Sequence, residues 1–229
     1  MCFSAAASFS LSGVLGVTGA ASLARSDMPE TRLFAAIPLL FGLQQFAEGV
    51  VWATMGALPD LAVHETAVVS FLALALVIWP MWAPFSLWLI EPRGVRRRVL
   101  MSFFCFGVII AIVALRLLLQ WEPIAVVAGR SIDYKHATMG FAIPEWALLL
   151  AYSIPTVGSF FVSSRTMVRT IGVTLFVSLI LAFLIKREAL TSVWCFFAAV
   201  LSGMILVAVG RMNRTTAVPI MAAETASYG

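Results

Sequence analysis

Long uncharged stretches of apolar residues recur along the chain, and short segments that carry most of its charge separate them. A helix of roughly 20 apolar residues is long enough to cross the hydrocarbon core of a bilayer. Seven such stretches are present, at residues 4–24, 33–57, 66–90, 99–120, 145–163, 168–185 and 192–210. The pattern predicts an all-α, polytopic membrane protein: one domain of seven transmembrane helices over residues 1–210, followed by a short tail over residues 211–229.

The composition supports this class and excludes two others. Hydrophobic residues make up 62% of the 229 residues and charged residues 11%, with a mean hydropathy of +1.01. A soluble domain is about half apolar and about a quarter charged, and a disordered chain is more polar still. A water-soluble enzyme and a disordered protein are therefore excluded. Because no charged residue precedes Arg25, the first stretch lacks the basic start of a signal peptide, and we expect it to be retained as a helix.

The distribution of lysine and arginine predicts the orientation, because short loops rich in these residues stay in the cytoplasm. With seven spans, ten arginines fall on one side: Arg25, Arg32, Arg93, Arg96, Arg97, Arg98, Arg165, Arg169, Arg211 and Arg214. Four basic residues fall on the other side: Arg130, Lys135, Lys186 and Arg187. We therefore expect the N-terminus outside the cytoplasmic membrane and the C-terminus inside. The net charge of +4 follows from this asymmetry, so the lipid bilayer and not a nucleic acid is the expected partner.

Small residues follow one face of the first predicted helix. Ser8, Ser12, Gly16, Ala20 and Ala24 recur at every fourth position. Such a face lets helix backbones approach closely in lipid. We expect an internal packing surface, and association of two copies of the chain through this helix is the alternative.

Prolines and aromatic residues gather in the cytoplasmic half of the predicted spans. The prolines are Pro38, Pro80, Pro84 and Pro155. Each removes a helix hydrogen bond and favours a kink, and we interpret the kinks as structural shaping, with an inner gate as the alternative. The aromatic residues on the third span are Trp79, Trp82, Phe85 and Trp88. Because tryptophan prefers the headgroup level, we assign them to an interfacial belt.

Charged residues well inside a span are rare, and only Glu48 and Arg116 are of this kind. Intramembrane ionisable residues are costly and often functional. Gln44, Glu48 and Trp52 share one face of the second helix at i, i+4 and i+8 spacing, and Gln45 lies beside them. Glu48 and Arg116 both fall in the outer half, so an ion pair is one interpretation. The other is a polar pocket of these five residues that binds a cation, a proton or a substrate.

The extracytoplasmic side holds a second candidate group, made of Cys2, His64, His136 and Cys195. Cysteine and histidine are ligands of zinc and copper, so this group could form a metal site. An oxidising compartment would equally allow a disulfide between Cys2 and Cys195. No spacing such as C-x-x-C or H-x-x-x-H supports the metal site. Metal, disulfide and neither therefore stay open, as does the removal of Met1.

Two segments carry a resemblance to a known family. Met1-Cys2-Phe3-Ser4-Ala5 precedes Ser8-Phe9, and Ile37-Pro38-Leu39-Leu40-Phe41 leads into Gln44-Gln45 and Glu48-Gly49-Val50-Val51-Trp52. Through the Met-Cys-Phe-Ser-Ala start and the Gln-Gln-x-x-Glu-Gly motif, the chain resembles a family of bacterial integral membrane proteins of unknown function. The resemblance is sharpest over the first two predicted helices. It implies a bacterial inner membrane protein in which Cys2 and the Gln-Gln-Glu face belong to a recurring pattern, and it implies no reaction.

Three functions are compatible with these features. The favoured one is binding or transport of a small solute or ion through the polar pocket around Glu48. The second is a metal-dependent membrane enzyme or sensor, with zinc or copper held by the cysteine and histidine group. The third is a non-enzymatic partner subunit of a membrane complex. Whether the chain is an enzyme stays open.

Overall fold

The fold is almost entirely helical. The structure, a computed structural model, describes residues 4–55, 61–120, 123–128, 131–135, 145–185 and 197–227. The helices are α1 (Ala5–Ala24), α2 (Arg32–Ala35), α3 (Ile37–Thr54), α4 (Leu61–Leu72), α5 (Trp79–Ile90), α6 (Val95–Gln120), α7 (Glu145–Ser153), α8 (Ser159–Val162), α9 (Thr166–Ile185) and α10 (Ala198–Ser227). A 3-10 turn, Pro29–Thr31, precedes α2. π-helical segments join α4 to α5 (Ala73–Ile78) and α7 to α8 (Ile154–Gly158).

Four helical segments are long and apolar enough to cross a membrane. They are Ala5–Ala24, Pro29–Thr54, Leu61–Ile90 and Val95–Gln120. Three shorter apolar helices follow at Trp146–Val162, Thr166–Leu181 and Ala198–Asn213. The membrane-protein character predicted from the sequence is confirmed at this level, while seven spans and their orientation stay predictions. The last helix, α10, continues to Ser227, through most of the segment that the sequence assigned to a tail.

A β-hairpin, which the hydropathy pattern did not predict, lies within the longest predicted connection. β1 (Ile124–Ala128) pairs antiparallel with β2 (Ser131–Lys135). Ile132 is fully buried in a core cluster that also contains Val51 and Phe71. The ring of Tyr134 stacks on Phe71, with 4.7 Å between their centres. The hairpin is therefore packed against the helices and is part of the fold.

The small-residue face of α1 packs mainly against α3. Ser8 is fully buried, and the Ser12 hydroxyl donates to the Gly42 carbonyl at 2.8 Å. A Cβ on Gly42 would lie 3.3 Å from two backbone atoms of α1, so glycine permits this close approach. The expected packing surface is confirmed at this end of the helix. It is wrong for Ala20 and Ala24, which are exposed, because a helix of 3.6 residues per turn rotates a four-residue repeat out of the contact.

A very close approach between two helices joins α5 to α6. Pro84 lies inside α5 and has no N–H for the carbonyl of Pro80, four residues earlier. Gly107 of α6 lies against that carbonyl, so close that a Cβ there would be 1.8 Å from the oxygen. Pro84 therefore leaves the Pro80 carbonyl without its helical donor, and Gly107 lets α6 pack directly against this carbonyl.

Candidate functional site

Three polar side chains are enclosed on α3, the most buried of the long helices. The apolar window of Pro29–Thr54 is 61% buried, whereas those of the other three long segments are 22% to 33% buried. Helices α1, α4 and α10 pack around α3. Gln44, Gln45 and Glu48 are consequently 3%, 0% and 0% exposed. The sequence motif thus lies in the protein interior and faces neither lipid nor water.

Hydrogen bonds orient these side chains. The Nε2 amide of Gln45 donates to the Oε2 carboxylate oxygen of Glu48 at 2.9 Å, one turn along the same helix. The indole Nε1 of Trp79 donates from α5 to the Oε1 of Gln44 at 2.7 Å. The first bond lowers the cost of burying the Glu48 carboxyl group. The second fixes which way the Gln44 amide points.

A small cavity lies beside Gln44. Its volume is about 60 Å³, and α3, α5, α7, α8, α9 and α10 line it together with the two π-helical segments. Most of the wall is apolar, for example Phe41, Phe160 and Ile205. Gln44, Tyr152 and Thr156 supply the polar side chains of the wall, besides the Trp79 indole. The cavity is large enough for a few water molecules or one small solute.

Both π-helical segments line this cavity, and Tyr152 at the end of α7 connects them. In a π-helix each carbonyl bonds an amide five residues later, and for Ala75 that residue is Pro80, which has no N–H. The Tyr152 hydroxyl donates to the Ala75 carbonyl at 2.6 Å, and the Thr156 hydroxyl donates to the Tyr152 carbonyl at 2.6 Å. π-helical turns recur at functional sites. Here they contribute Ala75 and Thr156 to the cavity wall.

A Tyr152→Phe variant tests this link between the two segments. It removes the hydroxyl that donates to Ala75 and leaves the aromatic ring in place. We expect a loss of about 1 to 2 kcal/mol in unfolding free energy, because a buried carbonyl loses its donor. Thermal unfolding in detergent measures the change, with the exposed Thr66→Val as the control. Unchanged stability would show that the hydroxyl does not support the π-helical turn.

Of the five residues of the predicted pocket, Gln44 lines the cavity, whereas Gln45, Glu48, Trp52 and Arg116 do not. Trp52 is half-buried, and within the part of the chain that the structure describes its buried indole N–H has no hydrogen-bond partner. Arg116 is exposed on α6, four residues before the helix ends at Gln120, whereas Glu48 is fully buried. The structure therefore does not bring Glu48 and Arg116 together as an ion pair. An arginine close to a helix end can extend its side chain towards the interface instead.

The assignment of Trp79 to the interfacial belt is wrong. Its side chain is 9% exposed, and its N–H bonds Gln44 in the interior. Trp82 and Trp88 are half-buried, and the Trp82 Nε1 donates to the Leu33 carbonyl at 3.0 Å. Trp79 therefore belongs to the candidate site, as a residue that positions Gln44.

The predicted metal group is described only in part. Cys2, His136 and Cys195 lie outside the described residues, so the metal site and the disulfide stay predictions. The His64 Nδ1 is hydrogen-bonded to the Thr54 hydroxyl at 2.7 Å. No cluster of three or more His, Cys, Asp or Glu side chains is found among the residues that the structure covers.

A second buried carboxylate, Glu91, was not anticipated from the sequence. It is 2% exposed and accepts hydrogen bonds from the Ser163 hydroxyl at 2.9 Å and from the Ser164 backbone N–H at 2.8 and 3.1 Å. In return, the Arg165 guanidinium donates to the Ile90 carbonyl at 3.3 and 3.2 Å. The pair of serines before α9 was the available signal, because serine is typical of helix starts.

The enclosed polar motif and the long apolar helices define a helical protein of membrane type with a buried polar site. The chain belongs to the family described as "Family of unknown function (DUF6629)", whose model matches residues 1–220. Neither curated proteins nor solved structures gave a match. The resemblance to a family without an assigned reaction is thereby confirmed, and the function has to be argued from the site.

Proposed function

We propose that the protein binds a small solute or ion inside the membrane and transports it, with Glu48 as the cation- or proton-binding group. The observation that carries this proposal is the complete burial of Glu48 and Gln45 on the most enclosed long helix. A charged residue at the centre of a transmembrane helix costs roughly 3 kcal/mol on insertion scales. Such a residue is by default a functional one.

The hydrogen bond with Gln45 does not by itself require a carboxyl group at position 48. Gln45 needs an acceptor for its amide, and a glutamine at 48 would provide one without a charge. The difference between the two side chains is the ability to take up a proton or a cation. That ability is what we assign to Glu48.

The cavity supplies the space that a transported species needs. It lies beside Gln44, which is one helical turn before Glu48 on the same face. The π-helical segments that line it interrupt two helices beside the cavity. Such interruptions give the helices positions at which they can bend, as the discontinuous helices of transporters do.

Contacts between connections support the predicted arrangement of seven helices, with the C-terminus inside. The side-chain amide of Asn213 on α10 donates to the Arg25 carbonyl and to Asp27 Oδ2, the latter at 2.9 Å. Glu91 bonds the connection before α9. In a seven-helix plan all of these segments belong to the arginine-rich side. The expected location is therefore the cytoplasmic membrane.

Reconstitution into liposomes tests the assignment of Glu48. Purified protein is inserted into vesicles that contain a pH-sensitive dye, and proton influx is driven by a potassium diffusion potential, with sodium and potassium gradients tested in parallel. We expect Glu48→Gln to lower the flux at least about tenfold, which corresponds to about 1.4 kcal/mol in the barrier. The neutral side chain retains a hydrogen-bond acceptor and loses the proton site.

The matched control is Glu65→Gln, an identical change at an exposed position of α4. Its flux should equal that of the wild type. Equal flux in the Glu48→Gln protein and the wild type would overturn the role of Glu48. Flux no higher than that of empty vesicles, for all three cations, would overturn cation transport.

A further inference from the structure

Four arginines lie close together in the turn between α5 and α6 and in the first turn of α6: Arg93, Arg96, Arg97 and Arg98. The neighbouring acidic residue, Glu91, does not neutralise them, because its side chain is 2% exposed and both of its oxygens accept hydrogen bonds from Ser163 or Ser164. The turn itself requires Gly94, whose φ of 156° is strained for any other residue. Four positive charges are thus concentrated around a turn whose backbone conformation depends on Gly94.

Three of these arginines line a single notch on the surface. Arg93, Arg97 and Arg98 surround it with Trp88, Gly94 and Met101, and its volume is about 420 Å³. Arg96 does not line it. The notch is therefore formed by three specific arginines, and Arg96, the fourth arginine of the run, lies outside it.

Aromatic stacking holds one guanidinium group in place. The Arg97 Cζ lies 4.2 Å from the centre of the Trp88 ring. Trp88 in turn stacks with Phe85 at 5.7 Å, and Phe85 contacts Phe104 of α6 at 5.0 Å. A guanidinium group over an aromatic face is attracted to it. Its orientation is thereby set before a ligand arrives, which reduces the entropy lost on binding.

We propose that this notch binds the phosphate of an anionic glycerophospholipid headgroup. Guanidinium groups pair with phosphate through two parallel hydrogen bonds. Trp88 and Met101 give the notch an apolar wall. Two segments continue from it that are long and apolar enough to cross a membrane: Leu61–Ile90, which ends with α5, and Val95–Gln120, which is α6. A lipid uses both parts, with its headgroup at the arginines and its acyl chains along the helices, whereas free phosphate uses only the arginines. Basic pockets at the cytoplasmic side of membrane helices suit such headgroups.

The test titrates delipidated full-length protein in a nonionic detergent with short-chain phosphatidylglycerol and, separately, with short-chain phosphatidylcholine and inorganic phosphate. Native mass spectrometry counts the bound molecules and gives the affinity. We expect phosphatidylglycerol to bind at least about tenfold more tightly than phosphatidylcholine, and Arg97→Gln or Arg93→Gln to lose about tenfold. The matched control is Arg96→Gln, which removes the same charge from the same run and should stay within about twofold of the wild type.

Each remaining outcome counts against the proposal. An equal loss in Arg96→Gln and Arg97→Gln would show diffuse attraction to the basic run without a defined site. Equal affinity for the two lipids would remove the role of the anionic headgroup. Inorganic phosphate that displaces phosphatidylglycerol at equal concentration would identify a soluble anion as the ligand. Thermal unfolding of each variant checks that the substitutions leave the fold intact.

Discussion

A Gly107→Ala substitution is expected to abolish the native packing of α5 against α6. The added Cβ would lie 1.8 Å from the Pro80 carbonyl oxygen and 2.6 Å from its carbon. Both are backbone atoms, so no side-chain rotation can relieve the overlap. The two helices must move apart, and this contact is among the most extensive between helices in the fold.

The expected loss in unfolding free energy is about 3 kcal/mol or more, at the upper end of what overpacking costs. Thermal unfolding in detergent, followed by tryptophan fluorescence and by size-exclusion chromatography, measures it. The same change at Gly13 is the control, because nothing lies within 4 Å of a Cβ there. Alanine at position 13 should be neutral or stabilise α1 by up to about 1 kcal/mol. Equal stability of the two variants would show that α5 and α6 do not approach this closely.

The helices could be predicted from the sequence because a backbone in lipid must satisfy its own hydrogen bonds, which limits each apolar stretch to a helix. The hairpin could not be predicted in the same way. Its strands contain two residues, Ile132 and Tyr134, whose contacts with the helices become visible only in the folded chain. Hydropathy is a local property, whereas this packing joins residues far apart in the sequence.

The candidate site was predictable for a related reason. Gln44, Gln45 and Glu48 are polar where nearly all neighbours are apolar, so their rarity alone marks them. The direction in which a residue points is harder to predict. The π-helical segment Ala73–Ile78 adds a residue to the helix just before Trp79, and each added residue rotates the following positions by about 100°. Trp79 therefore points inward, although its type is typical of the interface.

Arg116 and Glu91 show that the position of a charged residue in the sequence does not predict whether its side chain is buried. Arg116 shares the predicted depth of Glu48, but its position on α6 directs it outward. Glu91 follows directly after a predicted span and therefore resembles an ordinary loop residue, but it is 2% exposed. In both cases the sequence predicts a depth in the membrane, whereas the packing of neighbouring helices determines how far the side chain is buried.

A Glu91→Ala substitution should destabilise the protein by about 3 kcal/mol. The carboxylate accepts the backbone N–H of Ser164 and the hydroxyl of Ser163, and Ser163 is 1% exposed. Each buried donor left without an acceptor costs about 1 to 3 kcal/mol. Ser163 and Ser164 form the connection that leads into α9, so Glu91 fixes this connection to the end of α5.

The contact between the end of α5 and the connection before α9 contains hydrogen bonds in both directions. Mutations on the two sides can therefore measure how much each hydrogen bond contributes to the unfolding free energy. Glu91 serves the start of α9, while Arg165 donates to Ile90, where the last carbonyls of α5 also lack helical donors. Ser163→Ala removes two hydrogen bonds, the one that the hydroxyl donates to Glu91 and the one that it accepts from the Arg165 backbone N–H at 3.2 Å, and should cost about 1 to 2 kcal/mol. Glu30→Ala, at an exposed position, should stay within about 0.5 kcal/mol of the wild type. Chemical unfolding in mixed micelles measures the order.

We expect Glu91→Ala to be the least stable variant, Ser163→Ala to be intermediate and Glu30→Ala to be unchanged. This order distinguishes a Glu91 carboxylate that is hydrated from one that is enclosed between α5 and the connection before α9. A carboxylate that is hydrated would make Glu91→Ala resemble Glu30→Ala, because water would replace its donors at little cost. Where the carboxylate closes the contact, its removal leaves the buried Ser163 hydroxyl and the partly buried Ser164 N–H without their acceptor. Similar unfolding free energies for the Glu91 and Glu30 variants would therefore refute the connection between α5 and α9.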